Sequence, residues 1–256
     1  MIDYGLKDRV AIITGANNPQ GIGAATALAF AAEGAKVACI DMKEDAVKKV
    51  VDEIIAAGGT AMYQVGDVGM KVDADRMVQA VLDAWGTVDI LVNNAGITRD
   101  AIFYKMTEQQ WDDVMRVNLK SMFLMTQACY WPMRNQKYGR IINLSSSSCR
   151  GNRGQANYSA SKAGVIAFTN VIAMENAKHH ITANAICPGL IDTPMSRAVP
   201  PEVREEWIKG QPAGRMGTPD DIAEAVLFFA GEDADFISGQ HIWVDGSKQT
   251  GIITKV

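Results

Sequence analysis

Tyr158 and Lys162 lie four residues apart, and a serine-rich segment begins thirteen residues upstream, at Ser145. If the segment around Tyr158 is helical, residues i and i+4 share one face, so the phenol and the ammonium group project into the same space. A free tyrosine keeps its proton up to a pH of ~10, and a neighbouring positive charge favours the phenolate and lowers that pKa. The spacing therefore predicts a tyrosine that exchanges a proton with an alcohol or carbonyl oxygen near neutral pH.

Composition and charge limit the classes of protein that this chain can represent. Its 256 residues are 48% hydrophobic and 21% charged, which is typical of a globular protein with a sizeable core. The net charge of −4 indicates no basic surface for nucleic acid or for an anionic membrane. The longest apolar stretch, residues 24–32, is far too short to span a bilayer. We therefore expect no nucleic-acid partner and no membrane segment.

The cysteines and histidines form neither a disulfide framework nor a metal-binding pattern. No Cys-x-x-Cys pair occurs, which predicts reduced thiols in a cytoplasmic protein. The three histidines show no metal-ligand spacing, so we predict no metal site. The four cysteines are Cys39, Cys129, Cys149 and Cys187.

Short β-branched runs alternate with longer helical patterns along the whole chain. Such alternation predicts a parallel sheet that is covered by helices on both faces. No linker or repeat interrupts it, so we predict a single domain over residues 1–256. Residues 188–217 depart from the rhythm because they are rich in Pro and Gly, and a segment that long is usually a functional loop or lid. The predicted strands end at Thr14, Asp41, Val65, Asn93, Leu144, Ile186 and Val244.

Two motifs near the amino terminus predict a dinucleotide site. Residues 14–23, Thr-Gly-Ala-Asn-Asn-Pro-Gln-Gly-Ile-Gly, connect the first strand to the first helix, where glycines let backbone N–H groups approach a pyrophosphate. Asp41 ends the second strand, and a carboxylate there accepts hydrogen bonds from both ribose hydroxyls of the adenosine and repels a 2′-phosphate. Neither Met42 nor Gln20 is basic. These residues favour NAD over NADP.

Polar residues also follow the third and fourth predicted strands. Asp67, in the run Gly-Asp-Val that ends at Val68, is placed to meet the edge of an adenine. In the run Asn93–Gly96, we expect the asparagines to pin the edge of the sheet and Gly96 to leave room for a cofactor. Both features extend the predicted cofactor site across the sheet.

These motifs, taken in order from Thr14 to Gly246, resemble the short-chain dehydrogenase/reductase family in its short, single-domain branch. The resemblance implies a three-layer Rossmann-type, doubly wound sheet of seven parallel strands, and hydride transfer with NAD(H). It also implies a catalytic tetrad. Tyr158 would be the general acid/base, Ser145 would bond the substrate oxygen, Lys162 would lower the tyrosine pKa and hold the nicotinamide ribose, and Asn118 would anchor a relay water. A shift of one residue within the serine run stays open.

The motifs and the resemblance together give a set of expected cofactor contacts. In the family, the Pro-Gly turn after the sixth strand lies along the nicotinamide. One departure is that five residues separate Gly15 from Gly21 and include Pro19, which donates no N–H, so which amides reach the phosphates stays open. The expected contacts are Gly15, Asn17, Gln20, Gly21, Ile22, Gly23, Asp41, Met42, Asp67, Val68, Asn94, Ala95, Gly96, Tyr158, Lys162, Pro188, Gly189, Ile191 and Thr193.

The substrate class follows from a narrower resemblance. Residues 94–100, 105–107 and 154–158, with Trp111, resemble 3-oxoacyl-(acyl-carrier-protein) reductases and acetoacetyl-CoA reductases, which implies a 3-oxoacyl or 3-hydroxyacyl thioester. Carrier-protein reductases tend to have arginines at two positions that hold Gln136 and His179 here, so both acyl-CoA and acyl carrier protein stay open as partners.

Three alternatives were weighed against this interpretation. Enoyl reductases of the superfamily also have enlarged glycine loops, but they space their tyrosine and lysine more widely, and position 165 is Val165. A sugar or cyclic-alcohol dehydrogenase shares every motif except the acyl-type segment 98–111. A non-catalytic NAD-binding sensor would be expected to have lost Tyr158 or Lys162, and both are present.

The substrate pocket and the assembly are also expected from the sequence. We expect the pocket between the Ser145 strand end, residues 150–155 and residues 190–215. The predicted helix from Ser159 to Met174, and the one that ends near residues 130–133, are apolar on most faces, and the family implies a homotetramer built on them. The candidate lining residues are Met195, Val199 and Trp207.

Overall fold

The computed structural model describes residues 3–248, and within them seven parallel strands form one sheet. The spatial order is β3-β2-β1-β4-β5-β6-β7, so the chain reverses its direction of winding between β1 and β4. The expected doubly wound, three-layer fold of seven parallel strands is confirmed. The strands are β1 (Val10–Thr14), β2 (Lys36–Asp41), β3 (Thr60–Val65), β4 (Ile90–Asn93), β5 (Gly139–Leu144), β6 (Ile181–Pro188) and β7 (His241–Val244).

Helices cover both faces of the sheet because successive strand residues point to opposite sides. Ala11 and Ile13 of β1 lie in the core beneath the first, second and last helices, whereas Val10 and Ile12 lie in the core on the other side. All four are almost fully buried. The helices are α1 (Ile22–Ala32), α2 (Glu44–Ala56), α3 (Lys71–Trp85), α4 (Glu108–Met115), α5 (Ser121–Gln136), α6 (Ala156–Asn176), α7 (Pro194–Arg197), α8 (Pro201–Lys209) and α9 (Pro219–Ala230).

The sequence pattern from about Glu108 to Arg134 predicts one long helix with Thr107 as its N-cap and Gln110 completing a capping box. The capping box is present at the amino terminus of α4, but a π-helical insert interrupts the helix. A five-residue π segment, Arg116–Lys120, then joins α4 to α5. Such inserts are frequent at functional sites. The insert holds Asn118, one of the four expected catalytic residues.

The segment 188–217 is more ordered than the long loop that its composition predicts. Prolines at the first turns of α7 and α8 start two short helices there, as proline is suited to do. A bridge between Ile191 and Gly217 closes the base of the segment. Val199 is half-buried and Trp207 exposed, while the side chain of Met195 lies outside the described part of the chain.

Residues 1, 2 and 249–256, which belong to the expected single domain, lie outside the described range. Between residues 3 and 248, no helix has the length and apolarity that crossing a membrane requires.

Candidate active site

The expected site residues lie at one edge of the sheet, where the parallel strands end. Residues 15–23 follow β1, residues 41–42 lie at the end of β2, and residues 67–68 follow β3. Residues 94–96 follow β4, and residues 188–193 lie at and beyond the end of β6. In an open parallel sheet, the crevice at the reversal of strand order is the usual ligand site, and here it lies between β1 and β4.

Two glycines let the start of α1 approach the strand ends. A Cβ atom on Gly23 would lie 2.4 Å from the Gly15 carbonyl oxygen and 2.6 Å from the Asn94 side-chain nitrogen. Gly15 has a φ of +71°, and a Cβ atom there would lie 2.8 Å from the Ala95 Cα. Any larger residue would push the helix away from the sheet. The cradle fits the pyrophosphate of a dinucleotide, which needs close backbone approach at a helix start.

Asn94 and Thr14 clamp this cradle from below. The Asn94 Nδ2 donates hydrogen bonds to the carbonyl oxygens of Thr14 (2.9 Å) and Gly15 (3.1 Å). In return, the Thr14 Oγ1 accepts from the backbone N–H groups of Asn94 (3.0 Å) and Ala95 (3.1 Å). The side chain of Asn94 therefore pins the edge of the sheet, as we expected of the asparagines in this turn.

Two backbone N–H groups of the lengthened glycine loop are engaged in hydrogen bonds within the loop. Asn18 accepts from the N–H of Gln20 at its side chain (3.0 Å) and from the N–H of Gly21 at its carbonyl oxygen (2.8 Å). The first amides of α1, at Ile22 and Gly23, have no intrahelical acceptor because they begin the helix. These two amides are consequently the best placed to meet an anion.

The end of β2 carries the residue expected to select the cofactor. Asp41 is half-buried and accepts from the Asn17 Nδ2 (2.8 Å) and from the backbone N–H of Lys43 (3.1 Å). Met42 is 64% exposed. The carboxylate and the glycine loop are thus joined through Asn17, which places both expected contacts on one wall of the cleft.

Asp67 has a partner that the sequence did not suggest. Its carboxylate accepts from the Arg116 guanidinium (2.5 Å) and from the backbone N–H of Gly69 (2.8 Å). Arg116 begins the π segment, so the ion pair connects the end of β3 to that segment. Val68 is buried beneath the turn.

Lys162 and Tyr158 project from α6 towards the ends of β4 and β5. The Lys162 Nζ donates to the Leu144 carbonyl oxygen (2.6 Å) and lies 5.6 Å from the centroid of the Tyr158 ring. Gly96 faces the π segment and α6, because a Cβ atom there would lie 3.4 Å from the Asn118 Oδ1 and 3.7 Å from the Lys162 Nζ. A glycine at position 96 therefore preserves the space next to the ammonium group.

The pKa of Tyr158 is shifted in the direction opposite to the sequence expectation. Burial raises this pKa above its ordinary value, and the Asp100 carboxylate raises it further. A hydrogen bond from the Ser146 hydroxyl acts in the opposite sense but does not reverse the shift. Burial also lowers the pKa of Lys162 to about 8. Desolvation is the largest cause of the raised pKa of Tyr158 and exceeds the effect of the Ser146 hydrogen bond.

Ser146, not the expected Ser145, is the serine that contacts Tyr158. The Ser145 Oγ donates to the Lys162 carbonyl oxygen (2.8 Å), and the residue is almost fully buried. Ser146 has its hydroxyl at the Tyr158 side chain and also accepts from the N–H of Ser148 (3.1 Å). Successive residues of an extended strand point to opposite faces, so a shift of one residue exchanges the buried serine for the one that faces the cleft.

Asn118 is buried in the π segment with its amide group fully engaged. Its Oδ1 accepts from the Ile97 N–H (2.8 Å), and its Nδ2 donates to the Ile97 carbonyl oxygen (3.0 Å) and to the Ser161 Oγ (3.3 Å). The side chain therefore ties the segment after β4 to α6. This places Asn118 in the expected cluster and gives its side chain a structural task.

The turn after β6 closes the opposite end of the cleft. The Gly189 N–H donates to the Val244 carbonyl oxygen (3.0 Å), and a Cβ atom at Gly189 would lie 2.6 Å from the Asp245 Cβ. Ile191 is buried, and the Thr193 N–H donates to the Ser196 Oγ (3.0 Å) as α7 begins. Pro188 and its neighbours thus hold the start of the segment 188–217 against β7.

The sequence did not identify three further side chains at the cleft, those of Asp100, Gln155 and Arg197. Asp100 accepts from the Gln155 Nε2 (2.8 Å), just before α6 begins. Arg197 of α7 donates to the Gln20 side chain in the glycine loop (2.6 Å). No spacing rule connects residues so distant in the chain, and the acyl-type motif that contains Asp100 was the only available signal.

Comparisons with known proteins show the family to which the chain is similar. Residues 15–247 match a family model described as enoyl-(acyl carrier protein) reductase. The (2S)-[(R)-hydroxy(phenyl)methyl]succinyl-CoA dehydrogenase subunit BbsD of Thauera aromatica is 43% identical, over 95% of this chain and 98% of its own. The 3-oxoacyl-[acyl-carrier-protein] reductase FabG of Thermotoga maritima is 42% identical, and the acetoacetyl-CoA reductase of Shinella zoogloeoides is 45% identical; each match covers 94% of this chain and 98% of the relative.

A solved structure from Agrobacterium tumefaciens, described as a putative gluconate dehydrogenase, superposes with a TM-score of 0.93. It is 32% identical and covers 98% of this chain and 100% of its own. The chain belongs to the short-chain dehydrogenase/reductase family of oxidoreductases. It is an enzyme, and reductases of this family use a nicotinamide cofactor.

Proposed function

We propose that this enzyme interconverts a secondary alcohol and a ketone by hydride transfer with NAD(H), with Tyr158 as the general acid/base. The observation that carries the proposal is the position of the Tyr158 ring, whose centroid lies 5.6 Å from the Nζ of the buried Lys162. When bound, the nicotinamide supplies or accepts the hydride. Tyr158 gives a proton to the substrate oxygen in reduction and takes one back in oxidation.

The neighbours of Tyr158 have separate tasks in this mechanism. Ser146 takes the role expected of Ser145 and donates a hydrogen bond to the substrate oxygen, which stabilises the negative charge that develops there. Lys162 holds the nicotinamide ribose and supplies a positive charge near the phenol. The resemblance implies that Asn118 anchors a relay water, and because its side-chain amide is engaged with Ile97 and Ser161, we assign that role to its backbone.

NAD(H) is favoured over NADP(H) because of Asp41. Its half-buried carboxylate is fixed beside the glycine loop by Asn17. A ribose 2′-phosphate brought there would meet a like charge in a partly dehydrated position, which is unfavourable. The two ribose hydroxyls, by contrast, are donors that a carboxylate accepts well.

The favoured substrate is a 3-oxoacyl or 3-hydroxyacyl thioester. Relatives named for acetoacetyl-CoA, for 3-oxoacyl groups on acyl carrier protein and for an aryl succinyl-CoA support this class. A sugar dehydrogenase is the second candidate, and the similarity to the structure named for gluconate favours it. Reduction of an enoyl double bond is not favoured, because Tyr158 and Lys162 lie only four residues apart.

Initial rates with acetoacetyl-CoA test these proposals together. We expect faster turnover with NADH than with NADPH, and loss of turnover in Tyr158→Phe while NADH still binds. Serine variants form a matched pair: Ser146→Ala should lower kcat by about a hundredfold or more, whereas Ser145→Ala should mainly lower thermal stability. Faster turnover with NADPH would overturn the role of Asp41. Turnover of crotonyl-CoA or gluconate in place of acetoacetyl-CoA would overturn the substrate class, and NADH binding without turnover of any of them would favour a sensor.

A homotetramer and a cytoplasmic location remain proposals. A groove of about 710 Å³ runs between α4, α5 and α6, and its lining includes Leu119, Phe123 and Phe168. Trp131 and Met174, on the same two long helices, are 59% and 73% exposed. We expect copies of this chain to cover these apolar groups, as the family implies. A mass near that of one 27.7 kDa chain in solution would contradict the assembly.

A further inference from the structure

Arg197 connects the substrate-side segment to the glycine loop across the mouth of the cleft. Its Nη1 donates to the Gln20 Oε1 (2.6 Å), although 177 residues separate the two along the chain. Its Nε and Nη2 donate to the two carboxylate oxygens of Asp192, at 2.9 and 3.1 Å. The guanidinium is therefore held at the cleft by one neighbour on its own segment, with its remaining edge turned towards the loop that precedes α1.

Two guanidinium groups share one carboxylate at this point. Arg204 also donates to the Asp192 Oδ1 (2.8 Å), in addition to the two bonds from Arg197. The Nε of Arg204 is buried and has no hydrogen-bond partner among the described residues. The two guanidiniums lower the pKa of Asp192, so this carboxylate stays ionised and each arginine has only a shared counterion in it.

The contact falls on the part of the glycine loop that is longer than usual. Gln20 immediately precedes Gly21, the residue at which α1 begins. Pro19 donates no N–H, and the amides of Gln20 and Gly21 are engaged with Asn18. The lengthened loop therefore offers fewer free backbone donors, and the Arg197 guanidinium lies against its side chain at Gln20 (2.6 Å).

We propose that Arg197 binds the diphosphate of the nicotinamide dinucleotide, and that it exchanges Gln20 for the phosphate oxygens when the cofactor enters. This inference rests on the proposed NAD(H) dependence. A guanidinium is suited to the task because it bonds two phosphate oxygens at once and remains charged. The exchange couples the segment 188–217 to cofactor binding, since α7 carries Arg197.

The test measures binding rather than turnover. Dissociation constants for NADH and for ADP-ribose, which keeps the diphosphate but lacks the nicotinamide, are determined by fluorescence and calorimetric titration. The variants are Arg197→Met, Arg197→Lys and Gln20→Ala. Arg215→Met is the matched control, because Arg215 lies in the same segment and is also paired with a carboxylate, Asp221 (2.8 Å). Thermal unfolding of each variant shows whether it is folded.

Arg197→Met should raise the dissociation constants of NADH and ADP-ribose by roughly fivefold to tenfold, and Arg197→Lys should recover part of the lost affinity. Arg215→Met should leave both constants unchanged. Gln20→Ala removes an expected cofactor contact but also releases the guanidinium, so it should weaken binding much less than Arg197→Met does. Coenzyme A, which also has a diphosphate, should show no loss in Arg197→Met.

Equal ADP-ribose affinity in Arg197→Met and Arg215→Met would overturn the inference. So would a loss in Gln20→Ala as large as that in Arg197→Met, because the contact between the two segments would then be the cause. A loss for coenzyme A alone would assign Arg197 to the acyl carrier instead. Failure of the wild type to bind NADH would be a different result, since it would remove the proposed function itself.

Discussion

The two walls of the cleft are built by different means. On the cofactor side, the glycine loop meets the strand ends through backbone contacts, and Asn94 and Thr14 fasten it with four hydrogen bonds that involve backbone groups. On the substrate side, backbone hydrogen bonds fix the base of the segment 188–217, and its helices are fastened in addition by ion pairs of Asp192 and Asp221, whose side chains are 30% and 36% exposed. The first wall is thus fixed by close packing, whereas the second depends in part on polar groups that water can replace.

This difference has an energetic basis. Exposed ion pairs contribute about 0–1 kcal/mol each, because solvent screens the charges and both side chains lose entropy. A partly buried amide that loses its partners costs about 1–3 kcal/mol, since the remaining groups are left unsatisfied. Substitutions in the segment 188–217 should therefore alter the pocket at little cost to stability.

The largest effect is expected from a methyl group added to the cofactor wall. Gly23→Ala would bring a Cβ atom to 2.4 Å from the Gly15 carbonyl oxygen, so the helix and strand must separate. We expect a loss of about 3 kcal/mol, which is a fall in Tm of roughly 6–12 °C, together with loss of NADH binding. Gly210→Ala is the control on the other wall, because its Cβ atom would meet nothing closer than 3.4 Å. Equal losses in the two variants would mean that the walls do not differ in rigidity.

The second prediction concerns the buried ammonium group between the walls. Burial lowers the pKa of Lys162 from 10.5 to about 8, which corresponds to a folding cost on the order of 3 kcal/mol at pH 7. Between pH 8 and 10.5 the folded protein releases this proton while the unfolded chain keeps it, so stability rises with pH. Lys162→Met should therefore be more stable than the wild type at pH 7, and the difference should shrink towards pH 10.

Thermal unfolding at the two pH values measures this difference. Lys48→Met serves as the control, because Lys48 is half-exposed and paired with Asp52 on α2. A Lys162→Met variant that is less stable at pH 7 would show that the hydrogen bond to Leu144 outweighs the cost of burial.

The cofactor wall could be predicted from the sequence because its determinants are local. A glycine at the start of a helix and an acidic residue at the end of a strand can each be recognised from their distances along the chain. The bounds of β1 and β2 therefore matched the expected ones, and Gly15, Gly23 and Asp41 fell at one edge of the sheet. The contacts of Asn94 with the loop also followed from its place in the turn after β4.

Other features depend on three-dimensional facts that spacing does not contain. The choice between Ser145 and Ser146 depends on which face of the extended strand end meets Tyr158, and counting thirteen residues cannot decide this. The direction of the Tyr158 pKa shift depends on burial and on Asp100, which approaches from a different segment. The extra residue in the π segment is invisible to helical periodicity. The helices of 188–217 were missed because proline starts helices as well as ending them.

The smallest effect is expected from the ion pairs of the substrate wall. Arg215, followed by the backbone N–H of Thr218, lowers the pKa of Asp221 to about 2. This pairing stabilises the fold above a pH of about 4 and is lost as the pH falls towards 2, because the carboxyl group is then protonated in both states. Asp221→Asn should cost less than about 1 kcal/mol at pH 7, since the side chain is exposed to screening water.

The loss of unfolding free energy in Asp221→Asn should also become smaller in high salt, because mobile ions screen an exposed ion pair. Asn94→Ala on the cofactor wall should lower the free energy of unfolding by more, about 1–3 kcal/mol. This loss should be the same at low and high salt, since neutral hydrogen bonds hold that wall. Thermal unfolding of both variants at two salt concentrations makes the comparison direct. If salt changed the two losses equally, the distinction between a packed wall and a charge-fastened wall would have to be abandoned.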